Sequence, residues 1–273
     1  MLLSHLRRLR APFDALIKQR SLVWELTKRD VLGRYRGANF GLLWSLISPF
    51  LMLLIYTFAF GKVLGGRWPE VESGGASFAI VLFVALIVHG FFAECLVRAP
   101  MLVAGQPTLV KRVVFPLEVL PWPMVLSAAF HALANFAVFL VLQWLLDGRV
   151  HFTALWFPFV LMPLALLALA LGWVLSAFGV YFRDIGQVMP LVSTAMLFLS
   201  SALVPPSAIP AGYRWLFDIN PLTFVINQSR DVLVRGGSPD VAGLALYALV
   251  AFGLAVLGRA LFGRLRGGFA DVL

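Results

Sequence analysis

Long apolar stretches dominate the chain, and short polar or basic segments separate them. A helix that crosses a bilayer needs about 20 mainly apolar residues. Six windows of the sequence meet this requirement. We therefore predict an all-α membrane protein with six spanning helices, at about residues 41–63, 77–97, 120–146, 155–181, 187–203 and 241–262.

The first 40 residues form a separate element, distinct from the six-span region 41–273. Leu16, Leu22 and Leu26 recur at near-helical spacing, while Lys18 and Lys28 occupy other faces. Such an amphipathic helix lies in the headgroup plane of a membrane. It serves either as a lipid-anchored leader or as a platform for a cytoplasmic partner.

The segment between the last two windows is too long for a simple turn and is still apolar. It contains two helical stretches, each too short to cross a bilayer, on either side of Asn220–Pro221. We expect a re-entrant or interfacial helical hairpin here. Within it, Arg230 needs a partner, for which Asp218 and Asp231 are candidates.

Composition supports the membrane interpretation. Hydrophobic residues make up 61% of the 273 positions and charged residues 13%, and the mean hydropathy is +0.91. These values exclude a soluble domain and a disordered chain. The single cysteine, Cys95, excludes an intrachain disulfide, and the four scattered histidines argue against a metal site.

The net charge of +9 is distributed unevenly. Sixteen of the 22 Lys and Arg residues fall on the side of the six spans that carries both termini. By the positive-inside rule, both termini are therefore predicted to be cytoplasmic. Topology and contact with anionic lipid explain most of these cations.

Polar side chains also occur inside the predicted spans. Glu94 lies near one end of its window and can pair with Arg98. Ser127, His131 and Asn135 follow one another at intervals of four, so they form a stripe on one helix face. The stripe indicates either hydrogen bonds between helices or a water-lined cavity.

Four segments of the sequence, in matching order, resemble the permease subunits of type-two ABC exporters. The closest likeness is to the branch that exports polysaccharides, namely O-antigen, teichoic acid and capsule. The segments are TKRDVLGRYRGANFGLLWSLISP (27–49), QPTLVKRVVFPLEVLP (106–121), YFRDIGQVMP (181–190) and IPAGYRWLFDINPLTFVINQSRDVL (209–233).

The resemblance implies a homodimer in the bacterial inner membrane, with a canal between the subunits. Two copies of a separate ATPase are expected on the cytoplasmic face, and ATP and Mg²⁺ are expected there. No cofactor is expected on this chain, which contains no GxxxxGK[ST] sequence. The implied function is export of a lipid-linked polysaccharide, O-antigen first among the candidates.

The resemblance also assigns roles to particular residues. A short helix that couples the permease to the ATPase is expected at Leu109, Val110, Lys111, Arg112 and Val113. Contacts with the ATPase, or a gate for the substrate at the membrane surface, are expected at Arg29, Asp30, Arg34 and Tyr35.

Two further roles concern the path and its outer end. Aromatic side chains are candidates to line the canal, because their faces bind the C–H faces of sugars. These candidates are Tyr56, Phe60 and Phe198. The hairpin that closes the canal on the outer side is expected around Asn220, Pro221 and Arg230.

Three alternatives remain open. A drug or lipid exporter of the same wide family would share these segments. A membrane-embedded glycan transferase would need paired acids, for which Glu94 and Glu118 are the nearest candidates. A passive channel or scaffold would bind no ATPase.

Overall fold

The protein is described by a computed structural model in which every regular element is a helix, within the part of the chain that it covers. The side chains of Leu42, Leu53 and Tyr56 are not described. The residues described are 12–13, 16–56, 58–59, 78–111, 115–205, 207 and 209–273.

Twelve α-helices are numbered here in chain order within those ranges. They are α1 (Arg20–Arg34), α2 (Trp44–Tyr56), α3 (Phe78–Arg98), α4 (Met101–Ala104), α5 (Pro107–Val110), α6 (Pro121–Asp147), α7 (Phe157–Tyr181), α8 (Ile185–Phe198), α9 (Arg214–Ile219), α10 (Pro221–Leu233), α11 (Val241–Leu265) and α12 (Phe269–Val272). Short 3₁₀ turns precede several of them, including Leu117–Val119 before α6 and Phe152–Trp156 before α7.

Four stretches of the described chain are long and apolar enough to cross a membrane. They contain α3, α6, α7 and α11, the last three extended by their flanking turns. The predicted windows two, three, four and six coincide with these helices to within a few residues. The apolar length of a segment was therefore a sufficient signal for these four.

The other two predicted spans differ from what the structure contains. In the first, α2 covers 13 residues, and residues 57 and 60–63 of that window lie outside the described part. In the fifth, α8 has 14 residues and ends at Phe198, five residues before the predicted end. At 1.5 Å per residue, α8 is roughly 21 Å long, which is less than the ~30 Å hydrocarbon core.

The N-terminal helix packs on the body of the protein with one face. Val23, Thr27 and Val31 recur every four residues, and all three are buried. The opposite face keeps Trp24, which is 65% exposed, and the basic side chains. The buried face lies against α6, so α1 is joined to a long helix from the middle of the chain.

Two helices are present in the segment where the hairpin is predicted, with the expected break between them; whether they re-enter the membrane or lie at its surface stays a prediction. Helix α9 ends at Ile219 and α10 begins at Pro221. Asn220 between them is extended, with ψ at 118°, because proline disfavours a helical conformation in the preceding residue. Most of α10 is buried.

Close helix contacts depend on glycine at two places. A Cβ on Gly258 of α11 would stand 2.8 Å from the Ala170 carbonyl oxygen of α7. A Cβ on Gly179 of α7 would overlap the carbonyl oxygen of Pro100, in the turn between α3 and α4. Both positions need a residue without a side chain, since backbone atoms have no room to withdraw.

We predict that Gly179→Ala destabilises the protein by about 2 kcal/mol or more, because the new methyl group meets a carbonyl oxygen of the backbone. Gly253→Ala in α11 is the matched control, since a Cβ there meets nothing within 4 Å. The measurement is the melting temperature of each purified variant in detergent. Equal melting temperatures for the two variants would contradict the prediction.

Candidate functional site

Charged side chains from three helices meet where α3 ends. Glu94 and Arg98 stand one turn apart on α3, and Arg98 Nη1 donates to Glu94 Oε1 at 2.9 Å. The pair is the one that the spacing predicted. Glu94 is only 12% exposed at its side chain, so its carboxylate depends on partners within the protein.

Helix α1 contributes the second carboxylate. Arg98 Nη2 donates to both oxygens of Asp30, at 2.7 Å and 2.5 Å. The hydroxyl of Ser127, on α6, donates to Asp30 Oδ2 at 2.5 Å. Arg98 therefore lies between two carboxylates, one on its own helix and one on α1, and this bridge connects α1, α3 and α6.

A second bridge runs through Arg34 and His131. Arg34 Nη1 lies 3.0 Å from Glu94 Oε2 and 2.8 Å from His131 Nδ1. His131 Nδ1 is also 3.0 Å from Glu94 Oε2. That nitrogen accepts from Arg34 when it is unprotonated and donates to Glu94 when it is protonated. His131 thus has two alternative partners in one place.

We call this group the ion-pair cluster. Its two carboxylates and two guanidiniums balance in charge, so each half-buried ion has an opposite neighbour. A serine hydroxyl and a histidine ring add further hydrogen bonds to these ions. The members are Asp30, Arg34, Glu94, Arg98, Ser127 and His131.

Tyr35 completes the wall beside the cluster. Its ring packs edge-on against His131, with ring centres 5.9 Å apart. Burial raises the pKa of the Tyr35 hydroxyl, and Arg34 nearby offsets part of that increase. The hydroxyl is therefore neutral at physiological pH and is available as a hydrogen-bond donor.

Two cavities adjoin the cluster. The first holds about 380 Å³ and is lined by α1, the end of α3 and the start of α6, with Arg29 and Gln106 among its polar groups. The second holds about 660 Å³ and extends between α2, α3 and α6. Arg34 and His131 line both cavities. The ion-pair cluster therefore lies where the two spaces meet.

The larger cavity combines aromatic and polar walls. Trp44, Phe83 and Phe91 supply rings, and His89 and Asn135 supply polar groups. The polar stripe of α6 thus serves both purposes that the sequence left open. Ser127 and His131 bond to neighbouring helices, while Asn135 faces the cavity.

The four residues predicted to form a gate or an ATPase contact are all at this place. Asp30 and Arg34 belong to the ion-pair cluster, Tyr35 packs beside it, and Arg29 lines the smaller cavity. The structure brings them together. Their functional role stays a prediction.

The predicted coupling segment is only partly described. Helix α5 contains Leu109 and Val110, both half-buried against the core, and Lys111 follows it on the surface. Arg112 and Val113 lie outside the described residues. As far as this part is described, α5 is four residues long and covers the first two residues of the expected segment.

The predicted canal aromatics gain no support from the cavities. The side chain of Tyr56 and all of Phe60 lie outside the described part. Phe198 is 53% exposed at the end of α8, and its neighbour Leu197 is the residue that lines the larger cavity. All three assignments stay predictions.

Asn220 joins the hairpin to the end of α8. Its Nδ2 donates to the carbonyls of Met196 and Leu199, at 2.8 Å and 2.9 Å. Its Oδ1 accepts from the backbone N–H of Leu222 and so caps α10. One side chain therefore satisfies backbone groups at two helix ends, which explains why α8 ends early.

Arg230 performs a similar task from the last turn of α10. It is 1% exposed, and its guanidinium donates to the carbonyls of Ser201, Ala202 and Val81, at 2.6 Å, 3.1 Å and 3.2 Å. We call Asn220 and Arg230 the hairpin anchor.

The described contacts of Arg230 are with carbonyls, and the two aspartates expected as its partners have other described contacts. Asp231 forms an ion pair with Arg235 one turn later, and Asp218 lines a surface cavity with Arg214. The carbonyls of Ser201 and Ala202 bind Arg230 because the chain after α8 is irregular and leaves them without helical partners, whereas the carbonyl of Val81 belongs to α3.

The sequence analysis did not predict the contact between Asp30 and Arg98. These residues are 68 positions apart, and neither a motif nor a periodicity connects them. The residue types nevertheless carried a signal. Arg98 lies in the only charged turn of α3 and Asp30 lies in the last turns of α1, and a base and an acid at such positions need partners of opposite charge.

Comparison with known proteins agrees with this architecture. The profile of the family described as ABC-2 type transporter matches residues 21–234. The chain belongs to this family. The matched region covers the ion-pair cluster, both cavities and the hairpin anchor.

Individual relatives of this ABC-2 chain are similar along nearly their whole length. An O-antigen export system permease protein RfbA of Klebsiella pneumoniae is 24% identical over 91% of this chain and 93% of its own. RfbA of Myxococcus xanthus is 25% identical over 94% and 96%. The polysialic acid transport protein KpsM of Escherichia coli is 24% identical over 89% and 93%.

We predict that Asn220→Ala lowers the free energy of unfolding by about 1–3 kcal/mol, because it removes a helix cap and leaves buried carbonyls without donors. Asn220→Asp keeps the cap acceptor but loses the amide donor, so it should also destabilise. The measurement is the melting temperature of the purified permease.

Asn227→Ala is the matched control for this prediction. Asn227 lies on the same helix, is half-buried, and has no hydrogen-bond partner among the described residues. Equal melting temperatures for Asn220→Ala and Asn227→Ala would show that the carbonyl contacts do not stabilise the hairpin.

Proposed function

We propose that this chain is the permease subunit of an ATP-driven exporter that carries a lipid-linked polysaccharide, O-antigen first, across the bacterial inner membrane. One observation carries the proposal. Relatives named for O-antigen export match this chain over more than nine-tenths of both sequences. Nearly the whole length of those permeases therefore has an aligned counterpart in this chain.

The proposed topology has six spans with both termini in the cytoplasm. Four spans correspond to α3, α6, α7 and α11. The first would begin at α2, and the fifth would be completed by the chain after α8. The hairpin α9–α10 would re-enter the membrane from the outer side, since α8 alone is too short to cross. Helix α1 would lie along the cytoplasmic surface.

The two cavities and the cluster between them suggest how substrate enters. Arg29, Arg34 and Arg98 line the smaller cavity, and cations at this level of a membrane attract the phosphates of a lipid carrier. The larger cavity offers rings and polar groups, which suit a sugar chain. The ion-pair cluster would act as the gate between them.

Energy would come from a separate subunit. We propose a homodimer of this chain with two copies of an ATPase that binds ATP and Mg²⁺. The coupling contact would be made by the segment at α5, with Leu109 and Val110 resting on the core and Lys111 exposed to the partner. We assign ATP hydrolysis to a separate subunit because this chain contains no GxxxxGK[ST] phosphate-binding sequence.

A capsule substrate is the second candidate, because the KpsM relatives are named for polysialic acid transport. Teichoic acid, and a drug or lipid substrate, are further alternatives within the wider family. These substrates differ in what accumulates inside the cell when export stops.

We predict that deleting the gene causes the lipid-linked O-antigen to accumulate on the cytoplasmic side and to vanish from the cell surface. The measurement is glycan labelling of intact and permeabilised cells, with the intact gene supplied in trans as control. Loss of capsule with normal O-antigen would move the assignment to the second candidate. Unchanged glycans with altered drug tolerance would refute polysaccharide export.

We predict that Glu94→Gln reduces export roughly tenfold at equal expression, because it removes the charge that Arg34 and Arg98 share. Loss of one charge-assisted hydrogen bond costs about 1.5–3 kcal/mol. A free-energy difference of ~1.4 kcal/mol corresponds to a tenfold change in an equilibrium constant. Glu25→Gln, an exposed acid on α1, is the matched control. Normal export by Glu94→Gln would exclude the cluster as a gate.

A further inference from the structure

A third cavity shares no lining residue with the ion-pair cluster. It holds about 790 Å³ and is bounded only by α7 and α11, which contribute no residue to the cluster. Its walls are branched apolar side chains, among them Leu167, Leu171, Leu254, Leu257 and Leu261. We call it the α7–α11 groove.

The groove opens toward the surface that would face lipid. Leu257 on its rim is 67% exposed, as expected for a side chain that contacts hydrocarbon rather than protein. Its floor is formed where Gly258 approaches Ala170. The shape and lining fit an acyl chain, since no acidic residue lines it.

Two arginines lie at one end of the groove. Arg259 Nη2 donates to Glu118 Oε1 at 3.1 Å, but Arg259 Nε is buried and has no hydrogen-bond partner among the described residues. The guanidinium of Arg259 lies over Gly263, and a Cβ added at Gly263 would be 3.4 Å from Arg259 Nη1. Arg264 is exposed and likewise has no partner in the described part.

The charges near this end do not balance. Glu118 accepts from Arg259 and also from Arg266, at 2.8 Å, so one carboxylate already serves two guanidiniums. Asp271 lies beyond them on α12 and is exposed. A cation beside an apolar groove, with donors left over, matches the chemistry of a phosphate with attached hydrocarbon.

We propose that the α7–α11 groove binds an anionic phospholipid of the surrounding bilayer. Arg264 and the remaining donors of Arg259 hold the phosphate, and an acyl chain lies along the leucine wall. The lipid carrier of the exported glycan is a poorer match, because the groove is separate from both cavities that adjoin the cluster.

Native mass spectrometry of the full-length permease tests this proposal. The purified protein is titrated with phosphatidylglycerol and, separately, with phosphatidylcholine of the same acyl chains. We expect phosphatidylglycerol to bind more tightly and Arg264→Gln to weaken that binding about tenfold, the effect of one charge-assisted hydrogen bond. Arg183→Gln, which removes another exposed cation next to α7, should leave it unchanged.

Four results would overturn the proposal. The two lipids could bind equally, or Arg264→Gln and Arg183→Gln could weaken phosphatidylglycerol by the same amount. Polyprenyl diphosphate could occupy the site in preference to phosphatidylglycerol, which would assign the groove to the lipid carrier. Loss of a dimer mass in Arg264→Gln would assign it to a second copy of the chain.

Discussion

The requirement that buried backbone carbonyls find donors shapes this protein most strongly. Helix α8 ends before it is long enough to cross a bilayer, and the carbonyls of Met196 and Leu199 at its end need donors. Asn220 and Arg230 supply the missing donors from the hairpin. The position of α10 is fixed by this need, and α10 in turn packs against α3 and α7. Without the hairpin anchor, α8 would have to continue or unfold.

Further polar side chains hold α10 from other directions. Gln143 on α6 donates to the Leu233 carbonyl at 2.7 Å, and Thr153 donates to the Val232 carbonyl at 2.6 Å. Tyr247 on α11 donates to the Pro221 carbonyl at 3.2 Å. Both ends of α10 are therefore held by side chains from separate helices. Because both of its ends are held in this way, the buried helix α10 can move only together with its neighbouring helices.

The sequence predicted what depends on local chemistry. Apolar length located α3, α6, α7 and α11, and the four-residue spacing of Glu94 and Arg98 located one ion pair. Asn220–Pro221 marked the hairpin break for the same reason. The sequence did not predict where α8 ends, because the side-chain donor to its last carbonyls comes from Asn220, more than 20 positions later in the chain. The contact between α1 and Arg98 was hidden for the same reason.

The two ends of the fold use different chemistry, and this difference bears on motion. The hairpin anchor consists of side-chain donors and backbone carbonyls, whose positions are fixed by the helices that carry them. The ion-pair cluster offers alternatives, since Glu94 accepts from Arg34 and Arg98, and His131 Nδ1 faces both Arg34 and Glu94. Partners can be exchanged there without leaving a charge alone. A rearrangement of the ion-pair cluster therefore costs less free energy than a rearrangement of the hairpin anchor.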